Sequence, residues 1–100
     1  MYDMKHLEKL SKFKELTPNA WEAFEKLDNA ALAEGAIPQK QKELIAIAVA
    51  HTTQCPYCIE IHTGKARKAG ASDNEIAEAI MISAALRAGA AVVHGAHCFK

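Results

Sequence analysis

The sequence has no surplus of charge. Its 100 residues hold twelve Lys and Arg against twelve Asp and Glu. Without a basic stripe, nucleic acid and anionic membrane are not expected partners. The one short basic cluster, Lys65, Arg67 and Lys68, stands just before Gly70, where a helix end favours cations. Long apolar runs are missing as well. The longest uncharged apolar stretch, "LIAIAVA" at 44–50, is too short to cross a bilayer. The start, "MYDMKHLEKLSKFKEL", is charged every few residues and has no apolar h-region, so it does not read as an export signal. The expectation is a soluble, cytoplasmic chain. Cysteine is scarce and odd in number, three in all. That count, without an export signal, argues against a structural disulfide framework and directs attention to catalysis or metal binding. Aromatic residues are few, six in total, and no segment alternates apolar and polar residues for long, so strands are not expected.

What is present is helical. Alanine fills much of the apolar share, which favours helix and close helix–helix approach. A weak first helix is expected over about 3–15. A second follows Thr17, a candidate N-cap, with Pro18 at the first helical position. Its stripe Trp21, Phe24, Leu27 and Ala31 reads as core, and Gly35 and Pro38 mark its stop. The third, "QKQKELIAIAVAHTTQ", is polar in its first turn and then apolar on every side from Leu44 to Ala50. A helix apolar all round must be buried all round. Few helices of a 100-residue monomer can manage that, so the pattern points to a homo-oligomer. A fourth helix starts at Cys55-Pro56 and runs to Gly70. Ser72 and Glu75 form a capping box for the fifth. That last helix is rich in Ala and Gly, and Gly89 in its middle suggests close packing against another backbone. The expected fold is all-α, about five helices in one domain over residues 1–100.

The chemistry gathers in "QCPYCIEIH", residues 54–62. Pro56 suits the first helical position, which puts Cys55 at the N-cap and Cys58 at N3. A thiol needs a lowered pKa to act as a nucleophile, and unpaired N–H groups at a helix N-terminus supply one cause. His62 lies four residues after Cys58, one turn along on the same face, where it can take a proton and return it. The two cysteines are spaced to form a disulfide, so a sulfenic acid on one would be captured by the other. Helices three and four are joined by almost nothing and should form an antiparallel hairpin. Across it Glu43 comes near His62, where a carboxylate would fix the imidazole tautomer and raise its basicity. Only Cys58 has a histidine at this spacing, since Ile59 stands four residues after Cys55. Cys58 is therefore expected to attack and Cys55 to resolve; the reverse order, known from other CxxC helices, is the alternative.

Blander readings exist for each residue. Glu43 could be a solvated first-turn acid and His62 a satisfied helix histidine. The CxxC could be half a zinc site completed by His94, His97 or Cys98, although structural zinc normally clips chains poor in core. Tyr57 reads as a packing or substrate-lining residue, His51 as a helix-end residue and Cys98 as a bystander. No cofactor is required by any of these groups.

The pattern Glu43, eleven residues, Cys55, two residues, Cys58, three residues, His62 resembles the signature of the AhpD-like alkylhydroperoxidase core of the carboxymuconolactone decarboxylase family. The surrounding helix order, the Gly-x-x-Pro before the glutamate helix and the Gly-Ala-Ser turn resemble that family too, over about residues 18–95. The resemblance implies a helical fold assembled as a trimer or hexamer and a hydroperoxide-reducing or disulfide-reducing activity. It implies Cys58 as attacking thiol, Cys55 as resolving thiol, and His62 with Glu43 as proton relay. It implies a dithiol reductant, a dihydrolipoyl protein being the family's best-known route. Some members carry a second histidine where Tyr57 stands, and longer ones hold two such units. Two other functions stand beside this one. A cofactor-free lactone-acid decarboxylase needs a cationic pocket and no vicinal thiols. A non-catalytic helical oligomer or zinc-clipped module needs no reactive thiol at all.

Overall fold

Helix-forming segments separated by Gly- and Pro-marked turns fold as the spacing predicts. A computed structural model describes residues 2–100. A 3-10 segment, Met4–Leu10, runs into α1 (Ser11–Leu16). Then follow α2 (Pro18–Leu32), α3 (Gln39–Thr53), α4 (Pro56–Lys68) and α5 (Asp73–His94), and a closing 3-10 turn, Gly95–Cys98. Among the described residues there is no strand. The all-α expectation with five helices therefore holds. The expected first helix is split between Leu10 and Ser11. Asp3 caps its start: its carboxylate accepts from the Lys5 N–H and its carbonyl from the His6 N–H. No residue of Met4–Leu10 is buried, so nothing drives it to full α geometry.

Local chemistry explains the ends. Gln54 ends α3 in the left-handed region, φ 57°. The Cys55 N–H reaches the Ala50 carbonyl at 3.1 Å, which turns the chain sharply into α4. Gly70, φ 91°, ends α4. There the Gly70 N–H donates to the Arg67 carbonyl and the Ala71 N–H to the Ala66 carbonyl, the paired closure that a left-handed residue after a helix permits. Ser72 and Glu75 form the reciprocal capping box that opens α5. Thr17 departs from expectation. It holds the N-cap position of α2 but makes no side-chain cap; its hydroxyl donates backward to the Phe13 carbonyl at 2.9 Å.

The core is small. Ile47, Ala66, Ala71 and Ile76 pack together, with Leu44 and Ile80 against them, where α3, α4 and α5 meet. Two side-chain contacts tie α5 to the end of α3: Thr52 to Ser83 at 2.8 Å, and the Arg87 guanidinium to the Thr52 carbonyl. The α2 stripe is not core in the single chain. Trp21 is half-buried, stacks on Phe13 and meets Phe24 at a tilt, but Phe24 and Leu27 are exposed. Nor is α3 buried all round: Ile47 and Ala50 face inward while Ile45 and Val49 are half exposed. A Cβ built at Gly89 would meet nothing within 4 Å, so close packing there is absent from the single chain. The chain exposes 7686 Å², against about 5,500 Å² for a compact monomer of its mass. Its extents, 54 × 32 × 32 Å, show the same elongation. One further departure concerns α5. With the turn after it, residues 73–98 are long and apolar enough by length and composition to cross a membrane, although no uncharged run in the sequence is.

Candidate active site

The α3–α4 hairpin carries the site. Cys55 is the N-cap of α4 in extended geometry, φ −102° and ψ 100°, and its sulfur accepts the Cys58 N–H at 3.3 Å. That N–H is available because it lies in the first turn, where no intrahelical acceptor exists, and Pro56 at the first helical position has a φ suited to the helix start. The two sulfurs lie 2.7 Å apart as free thiols. They share a proton unequally. The Cys58 thiol and then the Cys58 N–H, donating to the Cys55 sulfur, hold Cys55 below its ordinary value. The same hydrogen bond, with burial and the charges of Cys55 and Asp28, pushes Cys58 up to about 11. In the resting pair the negative charge therefore belongs first to Cys55.

His62 stands one turn after Cys58, and its Nδ1 is 2.7 Å from Glu43 Oε2. The Glu43 side chain is 1% exposed and that of His62 15%. Glu43 is thus a buried residue whose recorded side-chain partner is this imidazole, and not a solvated acid. With Nδ1–H donating to the carboxylate, Nε2 is left as the acceptor. Among the described residues no hydrogen bond joins His62 to Cys58, but the two border the same space. A cavity of about 560 Å³ is lined by Cys55, Cys58 and His62 together with Trp21, Phe24 and Ile61. A second, of about 510 Å³, is lined by Cys58 and His62 but not by Cys55, with Ile45 and Val49 on its walls.

All four expected residues, Cys55, Cys58, His62 and Glu43, are thus brought together. Two neighbours escaped the sequence. Asp28 borders both cavities. It stands four residues after Phe24 on α2, a helical spacing that could have found it. His6 meets Tyr57, with Nδ1 3.1 Å from the hydroxyl; no local signal predicts a contact over that separation. His51 caps its own helix through the Ile47 carbonyl at 2.8 Å, as a helix-end residue. Among the described residues no three His, Cys, Asp or Glu side chains are grouped to hold a metal ion. His94 and His97 instead meet each other edge to face, ring centroids 5.2 Å apart, and Cys98 is exposed.

Known proteins resemble this chain in sequence and in fold. Over 73 residues the chain is 51% identical to uncharacterized protein 4 in the cox locus of Paracoccus denitrificans, a match spanning 73% of this chain and 66% of that protein. An uncharacterized protein of Cupriavidus necator is 36% identical over 66% of this chain and 58% of its own length. The chain thus spans 66% and 58% of the length of these two relatives. An alkyl hydroperoxide reductase of Mycobacterium tuberculosis is 40% identical over 55 residues, 55% of this chain and 15% of that protein. Among solved structures, a protein of Methanobacterium thermoautotrophicum superposes with TM-score 0.83 at 32% identity, covering 88% of this chain and 99% of its own. An apo carboxymuconolactone decarboxylase family protein of Legionella pneumophila superposes with TM-score 0.79 at 33% identity, over 92% and 82% of the two chains. The profile of that family matches residues 18–100, and the chain belongs to the carboxymuconolactone decarboxylase family.

Proposed function

We propose that the protein is a thiol-dependent peroxidase that reduces hydroperoxides through Cys55 and Cys58, with His62 and Glu43 as a proton relay. The observation that carries this reading is the single space bordered by both thiols and by an imidazole backed by a buried carboxylate. His62 takes the Cys58 proton on Nε2, and the thiolate attacks the distal oxygen of the hydroperoxide. The O–O bond breaks, a sulfenic acid forms, and the alkoxide leaves as an alcohol with the proton from His62. Cys55 then attacks the sulfenic sulfur. A disulfide forms and water leaves. A dithiol reductant, a dihydrolipoyl protein in this reading, returns both cysteines to thiols and is itself oxidised to a disulfide. Because Cys58 is pushed up, attack from it requires a base at that thiol, the part given to His62. Cys55, held below its ordinary value, is suited to the resolving attack as well as to a first attack.

The decarboxylase alternative has less support. It needs a cationic pocket, and the thiol cavity carries Glu25 and Asp28 beside Lys65. We further read the exposed apolar faces of α3 and α5 as subunit contacts of a cytoplasmic homo-oligomer, a trimer or hexamer. The Arg87 contact in mid-α5 and the Thr52–Ser83 bond favour a helix docked on protein over one immersed in lipid.

The test is stoichiometric. One equivalent of cumene hydroperoxide added to the reduced protein should remove two free thiols per chain and yield one equivalent of alcohol. Unchanged thiol counts after peroxide would remove the peroxidase reading.

A further inference from the structure

The thiol cavity has one wall that the reaction steps above do not use. The 3-10 segment Met4–Leu10 lies against α4. Of its residues only Leu7 is even half-buried. Its hold is on Tyr57, between Pro56 and Cys58. His6 Nδ1 stands 3.1 Å from the Tyr57 hydroxyl, with the rings tilted and 6.4 Å apart. Tyr2 meets the same tyrosine edge-on at 5.7 Å. From this anchor Leu7 and Leu10 join the lining of the cavity that holds Cys55, Cys58 and His62.

We propose that Met4–Leu10, latched through the His6–Tyr57 hydrogen bond, is the specificity-determining wall of the thiol site. It covers one side of the dithiol and adds apolar surface to a partly open cavity that also carries Glu25, Asp28 and Lys65, and so favours a hydroperoxide with an organic group over hydrogen peroxide. The chemistry of the lining carries this. Leu7, Leu10, Trp21, Phe24 and Ile61 offer apolar and aromatic surface, and about 560 Å³ is far more than hydrogen peroxide fills. Two of those five side chains come from the latched segment. Without it the organic group would lose one side of its contact and the dithiol would lose its cover. The latch is a single hydrogen bond at an exposed position, so its removal should release the segment without disturbing the core among α3, α4 and α5.

The substrate half of this proposal rests on the peroxidase reading; the covering of the dithiol does not. Two readouts therefore separate them, both in a Cys98→Ser background. In the first, the reduced protein is labelled with a polyethylene glycol maleimide too large for the cavity, and the rate at Cys55 is read by peptide mass spectrometry. His6→Ala and Tyr57→Phe should each raise that rate at least fivefold. In the second, kcat/KM for cumene hydroperoxide is divided by that for hydrogen peroxide. The ratio should fall at least fivefold in both variants and in Leu7→Ala. Labelling at the parent rate in both latch variants overturns the wall, as does an unchanged substrate ratio in all three. Tyr57→Phe keeps the ring and its edge contact with Tyr2, so it decides the matter if His6→Ala folds poorly. If the parent protein consumes no hydroperoxide, the peroxidase reading and the proposed preference both fail, and labelling alone decides whether the segment covers the thiols.

Discussion

Glu43 and His62 are 19 residues apart in sequence, and 2.7 Å separates Glu43 Oε2 from His62 Nδ1 across the α3–α4 hairpin. The contact is buried at the carboxylate end and slightly exposed at the imidazole end. A buried carboxylate without its partner is costly, so the two residues respond differently to mutation. Glu43→Gln keeps the shape and a hydrogen bond but loses the charge that supports His62 as a base. It should slow peroxide turnover by about 10²-fold, the scale of losing a general base, with a thermal midpoint close to wild type. His62→Ala leaves the carboxylate buried and unpaired and should cost about 3 kcal/mol of stability as well as activity. Denaturant titration beside turnover separates the two effects. Wild-type turnover in Glu43→Gln would make the carboxylate a structural residue only.

The shared proton between the cysteines gives a prediction in pH. Alkylation of the reduced protein should show one thiol ionising below the ordinary cysteine value and the second only near about 11. Cys55→Ser removes the neighbouring thiolate that accepts the Cys58 proton and repels its charge, so the Cys58 inflection should move down toward the ordinary range. A rate profile with two ordinary inflections would remove the sulfur–sulfur hydrogen bond as the cause.

The order of attack rests on His62 and the cavities, against the ionisation of the pair, which by itself favours Cys55. Cys58 has His62 one turn on and borders both cavities with it, whereas Cys55 borders only one. Mild peroxide should give a dimedone-trappable sulfenic acid on Cys58 in Cys55→Ser. Cys58→Ser should react slowly, and Cys98→Ser should behave as wild type. Faster labelling of Cys55 in Cys58→Ser would reverse the assignment and remove the role given to His62.

The excess surface predicts self-association. Light scattering at micromolar concentration should give a multiple of the 10.8 kDa chain mass, three or six in this reading. Val49→Glu and Leu86→Glu place a charge on exposed apolar positions of α3 and α5, 54% and 68% exposed in the single chain. Each should lower the assembly state, because an interface cannot bury an unpaired carboxylate cheaply. A stable wild-type monomer would leave that apolar surface without an explanation.

The capping box gives a prediction for stability alone. The Ser72 N–H first, and then Lys40, hold the Glu75 carboxyl below its ordinary value. A depressed carboxyl stabilises the fold above its unfolded value, and that contribution is lost as pH falls through its folded value. Glu75→Gln should remove this part of the acid sensitivity. Ser72→Ala should cost about 1 kcal/mol through the lost cap, without altering thiol chemistry, and paired melting curves at neutral and acid pH check both.

The sequence by itself determined the local features. The Cys55-Pro56 cap, the placement of Cys58 and His62 on one helical face, the Ser72–Glu75 box and the stop at Gly70 depend on residues within about one turn of each other. Glu43 was legible because a connection as short as Gln54 forces an antiparallel hairpin, which fixes the register between two helices. The remaining decisions belong to tertiary structure. Only docking of α2 beside the hairpin brings Asp28 to the cavity, and only the fold-back of the N-terminal segment brings His6 to Tyr57. The stripe at Trp21, Phe24 and Leu27 and the all-apolar turns of α3 show the limit most plainly. Periodicity tells that a face avoids water but not what covers it, and in the single chain much of that surface stays uncovered. Hydrophobic burial is non-directional, so the partner of an apolar face is set by the arrangement of whole helices and not by the residues that form it.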